Sequence, residues 1–275
     1  MKVIVYENPN TINEWFGRQD CEIPFLATDL LSFYLMGFLR LASDIGDKSD
    51  VYIPETWRSA LGDPAYTNYY NCPTASLIEE VQTNEYELIF ISSLYSLFVG
   101  DMDRADIAHL KQNPEKLFLN RGVLGGYLKK GQELPAPESF EGFQCFIPLT
   151  DENYLRVNQD LVANLSSKST EEVSARVFGK PLILSSTIGG NTTICAPCYI
   201  GKDVTVTDSY IGPGTILRGN TRVSNSKLFG CYVEDSQVSD SVINDSVISS
   251  SDLDGIEFDV ARLPYGSVIR GARKV

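Results

Sequence analysis

The sequence has few of the residues from which disulfide frameworks and metal sites are built. It contains one histidine and six cysteines in 275 residues. Cysteines this sparse exclude a small fold held together by disulfides, so we expect reduced thiols. At roughly 150 residues per domain, the length fits one large domain or two ordinary ones, each with its own hydrophobic core.

Basic residues and long apolar runs are also scarce. The chain has 23 Lys and Arg against 36 Asp and Glu, a net charge of −13. This charge argues against nucleic acid or an anionic membrane as a partner. The longest apolar run, residues 30–39, is shorter than the roughly 20 residues that span a bilayer, and the N-terminus lacks a basic region followed by an apolar core. We therefore expect a cytoplasmic protein.

The composition changes along the chain and indicates two domains. Residues 1–179 carry 26 acidic and 14 basic side chains, whereas residues 180–275 carry 10 and 9. The second part is rich in Ser, Thr, Asn, Asp and Gly, with isolated Ile and Val. We place the domain boundary between residues 165 and 182, with domains at 1–170 and 180–275.

The first domain alternates predicted strands and helices, which favours an α/β sheet. Strands are predicted at residues 1–6, 50–54 and 87–91, and the last of these is a continuous apolar run typical of a central parallel strand. Helices are predicted at residues 30–42, with Thr28 and Asp29 as a cap, and at 75–81 and 103–110.

The second domain contains a repeat of aliphatic residues. From Ile188 they recur every six positions, and later the spacing becomes mostly five. We interpret each aliphatic residue as pointing into a narrow prism whose corners are turned by Gly, Asn and Asp, giving about four coils of three short strands. A low-complexity linker is the alternative for residues 235–251. The repeat positions are Ile188, Ile194, Ile200, Val206, Ile211, Ile216, Val223, Leu228, Val233, Val238, Ile243, Ile248 and Leu253.

These units resemble a known family. Residues 188–193 and 200–205 resemble the left-handed parallel β-helix of hexapeptide-repeat transferases, and five-residue rungs such as 240–244 resemble the β-helices attached to sugar-phosphate nucleotidyltransferases. The order of elements in the first domain, including a predicted helix at 151–161, is similar to that of a nucleotidyltransferase. The resemblance implies a divergent Rossmann-like α/β domain, a sugar phosphate or nucleotide sugar as ligand, and a homo-oligomer formed through the β-helix.

One motif of the resembled family is missing. The family has a glycine-rich loop with Arg and a downstream Lys after its first strand, whereas residues 7–25 contain only Gly17 beside Arg18, and no lysine. Without glycines the backbone cannot easily wrap phosphate oxygens, and Glu7 adds a negative charge there. Two readings stay open: a nucleotidyltransferase, or a non-catalytic binding or regulatory subunit of a nucleotide-sugar pathway.

The resemblance also implies Mg²⁺ and phosphate ligands for an active enzyme. Asp101 and Asp103 are the candidate Mg²⁺ ligands, although acidic residues at this position also cap a helix. Arg121 or Lys129 is the candidate phosphate ligand, with solvated surface as the alternative.

A third possibility is acyl transfer, which in hexapeptide-repeat enzymes usually employs a histidine as general base. Residues 180–275 contain no histidine, and we expect a structural role for His109. Cys195 and Cys198 form a C-x-x-C pair that suits zinc or redox chemistry. The register instead places Cys198 at the small interior position of Thr192 and Val204, so we predict packing.

The last residues of the chain depart from the repeat. We expect residues 258–275 to cap the final coil, because an open end would expose unpaired backbone groups. The basic residues of this stretch are Arg262, Arg270, Arg273 and Lys274.

Overall fold

A computed structural model describes residues 1–8, 12–26, 28–61, 67–164, 176–179 and 181–271. The chain divides into two compact units. Unit 1 comprises Met1–Asn10, Gln19–Glu22 and Asp29–Thr150; unit 2 comprises Thr11–Arg18, Ile23–Thr28 and Asp151–Val275. Residues 165–175 and 180, where the composition places most of the domain boundary, lie outside the described residues, and so do Arg273 and Lys274.

The described helices are α1 (Ile12–Phe16), α2 (Leu30–Asp44), α3 (Arg58–Leu61), α4 (Thr74–Val81), α5 (Arg104–Gln112) and α6 (Tyr154–Asn164). Short 3₁₀ helices lie at Asp20–Glu22, Glu55–Trp57 and Glu141–Phe143. The strands up to residue 150 are β1 (Lys2–Tyr6), β2 (Pro24–Phe25), β3 (Thr28–Asp29), β4 (Asp50–Pro54), β5 (Thr67–Tyr70), β6 (Glu87–Ser93), β7 (Ser96–Phe98), β8 (Phe118–Asn120), β9 (Val123–Leu128), β10 (Glu138–Ser139) and β11 (Phe146–Pro148).

Unit 1 is built on a seven-stranded sheet in the order β10-β8-β9-β6-β1-β4-β5. Strand β9 runs antiparallel to its neighbours β6 and β8, and the other pairs are parallel. The chain moves from β1 outward through β4 to β5 and then returns to place β6 on the other side of β1. The prediction of an α/β sheet with residues 87–91 at its centre is therefore confirmed.

Different residues of each strand face the two sides of this sheet. On one side, Phe38 of α2 packs against Phe90 of β6 and against Phe98 and Phe146, with ring centroids 5.5 to 5.9 Å apart. On the other side, α4 contributes Leu77 and Val81 to a buried cluster with strand residues that include Ile4 and Ile89. Both faces of the sheet are thus covered by apolar side chains.

The predicted start of α2 is confirmed in detail. Asp29 occupies the N-cap position, and its carboxylate accepts a hydrogen bond of 2.7 Å from the backbone N–H of Ser32. This bond satisfies one of the amide groups that a helix leaves unpaired at its first turn.

Unit 2 contains a parallel β-helix made of three sheets. The first sheet stacks β12 (Arg176–Phe178), β15 (Thr193–Cys195), β18 (Tyr210–Ile211), β21 (Lys227–Phe229), β24 (Val242–Asn244) and β27 (Glu257–Asp259). The second stacks β13 (Leu182–Ile183), β16 (Tyr199–Ile200), β19 (Ile216–Arg218), β22 (Tyr232–Glu234) and β25 (Val247–Ser249). The third stacks β14 (Thr187–Gly189), β17 (Thr205–Thr207), β20 (Arg222–Ser224), β23 (Gln237–Ser239), β26 (Asp252–Asp254) and β28 (Val268–Arg270).

The β-helix follows the predicted repeat with two corrections. Its three sheets contain six, five and six strands, so it has between five and six coils, where the repeat predicts about four. Ile194, Ile211, Leu228 and Ile243 are in register and buried, as the spacing predicts. The prediction for Ile216 is wrong, because Leu217 is the residue that pairs with Ile200 and Val233 and belongs to the interior cluster. Both neighbours are aliphatic and buried, so spacing alone does not distinguish them, and the pairing with the coils on either side places Leu217 inside.

Corners and serine ladders connect successive coils. Asp208, Asn225 and Asp240 turn equivalent corners with φ values of 47° to 49°, a left-handed conformation that Asp and Asn tolerate well. After the corners, serine side chains accept hydrogen bonds from the backbone of the next coil. Ser226 N–H donates to the Ser209 hydroxyl at 3.1 Å, and Ser241 N–H donates to the Ser226 hydroxyl at 3.1 Å. The serines therefore satisfy backbone groups and do not form a linker.

The end of the repeat differs from the prediction. The sequence predicts that residues 258–275 leave the repeat, but Phe258 of β27 is in register with Ile243, and Ile269 of β28 is in register with Leu253. Between them Arg262 bridges to Val247 and Leu263 belongs to the interior cluster, so this segment also passes the second face of the coil. The coil therefore continues at least to Arg270.

Segments from the N-terminal part of the chain cover the outer face of the second β-helix sheet. Phe16 of α1 and Tyr154 of α6 pack on Tyr232, with ring centroids 5.8 Å apart in each case. Beside them, Arg218 is bound by Glu234, with Nε to Oε1 at 3.0 Å, and its guanidinium donates to the carbonyl oxygens of Leu26 and Thr28. This buried face is unavailable to another copy of the chain.

Candidate functional site

A cavity lies at the carboxyl ends of three neighbouring parallel strands of unit 1. Strands β1, β4 and β5 end at the same edge of the sheet, and the residues at and after their ends line a volume of about 390 Å³. Open α/β sheets bind ligands in the crevice outside the carboxyl ends of their strands. We therefore take this cavity as the candidate site.

Hydrogen bonds hold the walls of the candidate site in place. The Thr56 hydroxyl donates to the carboxylate of Glu7, and the Tyr70 hydroxyl donates to the carbonyl oxygen of Val5 at 2.7 Å. Burial raises the pKa of Tyr70 to about 12, so its phenol stays protonated. Asn71 also lines the cavity and offers both a donor and an acceptor.

The candidate site carries negative charge. Glu7 and Glu55 line it, and no Lys or Arg does so among the residues that the structure describes. Arg58 lies close by in the chain, but its guanidinium pairs with Glu55 at 3.1 Å and stacks on the ring of Tyr69 at 4.3 Å. The cavity thus suits an uncharged polar group with hydroxyls, since a phosphate would meet two carboxylates.

The predicted Mg²⁺ ligands lie elsewhere in unit 1. Asp103 caps α5 by accepting a 2.9 Å hydrogen bond from the N–H of Ala105, and Asp101 forms an ion pair with Arg40. Together with Asp106 they line an acidic cavity of about 440 Å³. Within the described ranges, no group of three or more His, Cys, Asp or Glu side chains is arranged to hold a metal ion. Mg²⁺ is often held by one or two carboxylates plus phosphate oxygens, so this assignment stays a prediction.

The two predicted phosphate ligands lie at opposite edges of the sheet. Arg121 precedes β9 and Lys129 follows it, eight residues later, which corresponds to roughly 25 Å along a strand. Arg121 lies at the edge where β6 ends, because Val123 pairs with Ser92, and its guanidinium donates to the carbonyl oxygen of Phe146 at 3.1 Å. Lys129 pairs with Glu115 at 3.3 Å. One phosphate group can therefore contact only one of them.

His109 and Cys198 have packing contacts. The His109 ring stacks on Phe140, with centroids 5.0 Å apart and an interplanar angle of 7°. Cys198 belongs to the interior cluster of the β-helix, as predicted. Like the buried Thr192 and Val204, it lies four residues after an interior isoleucine. Its neighbour Cys195 is half-buried, and its thiol donates to the Tyr210 hydroxyl at 3.3 Å.

The burial of Cys198 gives a testable prediction for the C-x-x-C pair. Burial raises the pKa of the Cys198 thiol to about 12, and only the thiolate reacts with alkylating reagents. In the folded protein at neutral pH, we expect iodoacetamide to modify Cys198 at least about a hundredfold more slowly than in the denatured protein. Peptide mass spectrometry measures both rates, and rapid labelling of the folded protein would contradict the packing role.

Two features of the structure carry no signal in the sequence. One is the buried group around Arg218 and Glu234, whose partners at Leu26 and Thr28 are about 190 residues away along the chain. The other is Gln82, which is buried although nothing in the apolar pattern around it indicates a polar residue facing inward. Both depend on long-range packing, which periodicity cannot reveal.

Comparison with known proteins gives no family assignment. No protein-family model matches the chain, and no curated protein matches it significantly. Among the described residues, no helix is both long and apolar enough to cross a membrane.

Proposed function

We propose that this protein is a non-catalytic binding or regulatory subunit of a nucleotide-sugar pathway, related to sugar-phosphate nucleotidyltransferases. The candidate site at the ends of β1, β4 and β5 would hold the uncharged nucleoside or sugar part of a nucleotide sugar. The observation that carries the proposal is the lining of this cavity, which combines Tyr70, Asn71 and Thr56 with two carboxylates and no described cation. Carboxylates and amides are suitable partners for the hydroxyls of a sugar.

Binding is favoured over nucleotidyl transfer by the distribution of charge. A nucleoside triphosphate needs several cations and backbone N–H groups around its phosphates. At the candidate site, the residue that follows β1 is instead the acidic Glu7. The candidate Mg²⁺ ligands already have partners, because Asp101 pairs with Arg40 and Asp103 accepts a hydrogen bond from the first turn of α5. Arg121, at the same sheet edge as the candidate site, is the residue we assign to a phosphate of the bound nucleotide sugar.

The proposed relationship includes finer features of the fold. It implies a Rossmann-like type for the α/β unit, a left-handed coil for the β-helix, and association of copies through the β-helix. Because the outer face of the second sheet is covered within unit 2, such association would use the outer faces of the first and third sheets. Light scattering tests the association of copies, and a monomeric mass would contradict it.

Calorimetric titration of the intact protein tests the proposed function. We expect a nucleotide sugar to bind more tightly than the corresponding sugar phosphate or nucleoside triphosphate with Mg²⁺. Glu7→Gln removes the charge that accepts hydrogen bonds from sugar hydroxyls, so we expect about tenfold weaker binding of the nucleotide sugar. The matched control is Glu133→Gln, an exposed glutamate of the same unit, which should leave binding unchanged.

Three results would overturn the proposal. Turnover of a nucleoside triphosphate and a sugar 1-phosphate that is lost in Asp101→Ala would establish nucleotidyl transfer with the predicted metal ligands. Binding of coenzyme A alone would favour acyl transfer. Binding of a nucleotide sugar with equal affinity to the Glu7→Gln protein would place the ligand outside the candidate site.

A further inference from the structure

A second cavity lies beside α4 in unit 1. Its volume is about 420 Å³, and it is lined by residues of β4 and β5 on one side and by residues at the end of α4 on the other. It shares Tyr70, Asn71 and Cys72 with the candidate site described above, whereas Gln82 and Thr83 line only this second cavity. The size is within the range of cavities that hold small molecules in proteins.

Gln82 is the unusual residue of this cavity. It is only 5% exposed, and its Nε2 has no hydrogen-bond partner within the described part of the chain. A buried amide nitrogen without a partner has a desolvation cost that lowers the stability of the folded state. A ligand oxygen that accepts a hydrogen bond from Gln82 Nε2 would remove this cost. The amide therefore favours a ligand that carries an acceptor oxygen.

Apart from the exposed carboxylate of Glu80, the other polar groups of the cavity are uncharged or already paired. The Lys2 ammonium donates to the carbonyl oxygen of Val81 at 2.7 Å and lies 3.4 Å from the carboxylate of Glu87, so its charge is compensated. Burial, with the nearby carboxylates of Asp50 and Glu87, raises the pKa of Tyr52, which therefore stays a neutral donor. Asn68 lines the strand side; its Nδ2 donates to the carbonyl oxygen of Val51 at 3.3 Å, and its Oδ1 offers an acceptor. No lining cation remains for a phosphate.

We propose that this cavity binds a neutral monosaccharide. Sugar hydroxyls both donate and accept hydrogen bonds, as do the amides of Asn68, Asn71 and Gln82. These amides come from two sides of the cavity, which fits hydroxyls distributed around a ring. Tyr52 and Tyr70 supply the apolar surface against which the C–H groups of a sugar ring pack.

The experiment is a titration of the intact protein, followed by calorimetry, with glucose, galactose, mannose and N-acetylglucosamine, and with uridine and adenosine for comparison. We expect one of the four sugars to bind and neither nucleoside to compete with it. Gln82→Leu keeps the size of the side chain and removes the amide, so we expect at least tenfold weaker sugar binding. Without ligand this variant should be as stable as the parent protein or more so, because it removes an unpaired buried amide.

Two control variants separate this proposal from the proposed function. Gln112→Leu makes the same change at an exposed position of α5 and should leave sugar binding unchanged. Glu7→Gln should weaken nucleotide-sugar binding without affecting a sugar bound in this second cavity, because Glu7 lines only the candidate site. Binding of none of the four sugars, or equal sugar affinity in Gln82→Leu, would overturn the monosaccharide site. A nucleoside whose binding is lost in Gln82→Leu would reassign the cavity to a nucleobase.

Discussion

Replacing Arg218 with methionine is expected to lower the free energy of unfolding of unit 2 by about 3–5 kcal/mol. The guanidinium pairs with Glu234 at 3.0 Å and donates to the carbonyl oxygens of Leu26 and Thr28, which joins the β-helix to the segment that covers it. Glu234 is 2% exposed, so the substitution leaves a buried carboxylate without its main partner. Denaturant unfolding followed by the fluorescence of Trp15, in a Trp57→Phe background, reports on unit 2.

The dependence of this loss on pH gives a further check. Burial raises the pKa of Glu234 despite the opposing effect of Arg218 and Arg18, and removal of Arg218 will raise this pKa further. A carboxyl group whose pKa is higher in the folded than in the unfolded state lowers the free energy of unfolding at pH values above its folded-state pKa. This loss of stability disappears as the pH falls to the pKa that the group has in the unfolded chain. The loss in Arg218→Met should therefore be smaller near about pH 5 than at neutral pH.

Matched variants identify the origin of the loss. Arg222→Met changes an exposed arginine of the neighbouring strand β20 and should alter stability by less than about 0.5 kcal/mol. Adding Glu234→Leu to Arg218→Met removes both charges and should recover part of the stability, because no unpaired carboxylate remains. A loss of the same size in Arg222→Met, or no recovery in the double variant, would contradict the role assigned to this ion pair.

Replacing Phe38 with alanine is expected to destabilise unit 1 by about 3–5 kcal/mol. Phe38 is fully buried on α2, and its ring packs against Phe90, Phe98 and Phe146. Truncation leaves a cavity that the surrounding rings cannot fill without leaving their preferred arrangement. Alanine is the best helix former, so any loss arises from packing and not from helix propensity. Unfolding followed by the fluorescence of Trp57, in a Trp15→Phe background, measures the effect.

The neighbouring residue supplies the control. Leu39 is on the same helix but is 36% exposed, so Leu39→Ala should cost less than about 1 kcal/mol. Equal losses at the two positions would mean that Phe38 is not at the centre of the packing on this face of the sheet. A loss seen by Trp15 and not by Trp57 would contradict its assignment to unit 1.

The secondary structure of unit 1 could be predicted where a local pattern determines it. The apolar run at 87–91 became the central strand β6, and Asp29 caps α2 as its position before an apolar stretch indicates. The order of strands in the sheet could not be predicted, because it depends on which strands pair across long loops. The candidate site follows from that order, since it exists only where the ends of β1, β4 and β5 meet.

The candidate site residues stay predictions. Asp101, Asp103, Arg121 and Lys129 follow from their chemistry and from their positions near predicted strand ends and glycines. In the structure Arg121 and Lys129 lie at opposite ends of β9, and Asp103 binds the first turn of α5. A site that several side chains form together cannot be predicted from the sequence of one segment, because the separation of two residues along the chain says little about the distance between them in the folded protein.

The parallel β-helix could be predicted because each coil repeats the same spacing of interior aliphatics and corner residues, and this requirement is local to one coil and its neighbours. The α/β character of the first unit could also be predicted, from strand and helix periods that each depend on a few neighbouring residues. Three features could not: Leu217 and not Ile216 points inward, N-terminal segments cover one face of the β-helix, and Gln82 is buried beside a cavity. These features depend on contacts between residues far apart in the chain, which are fixed only when the whole unit packs.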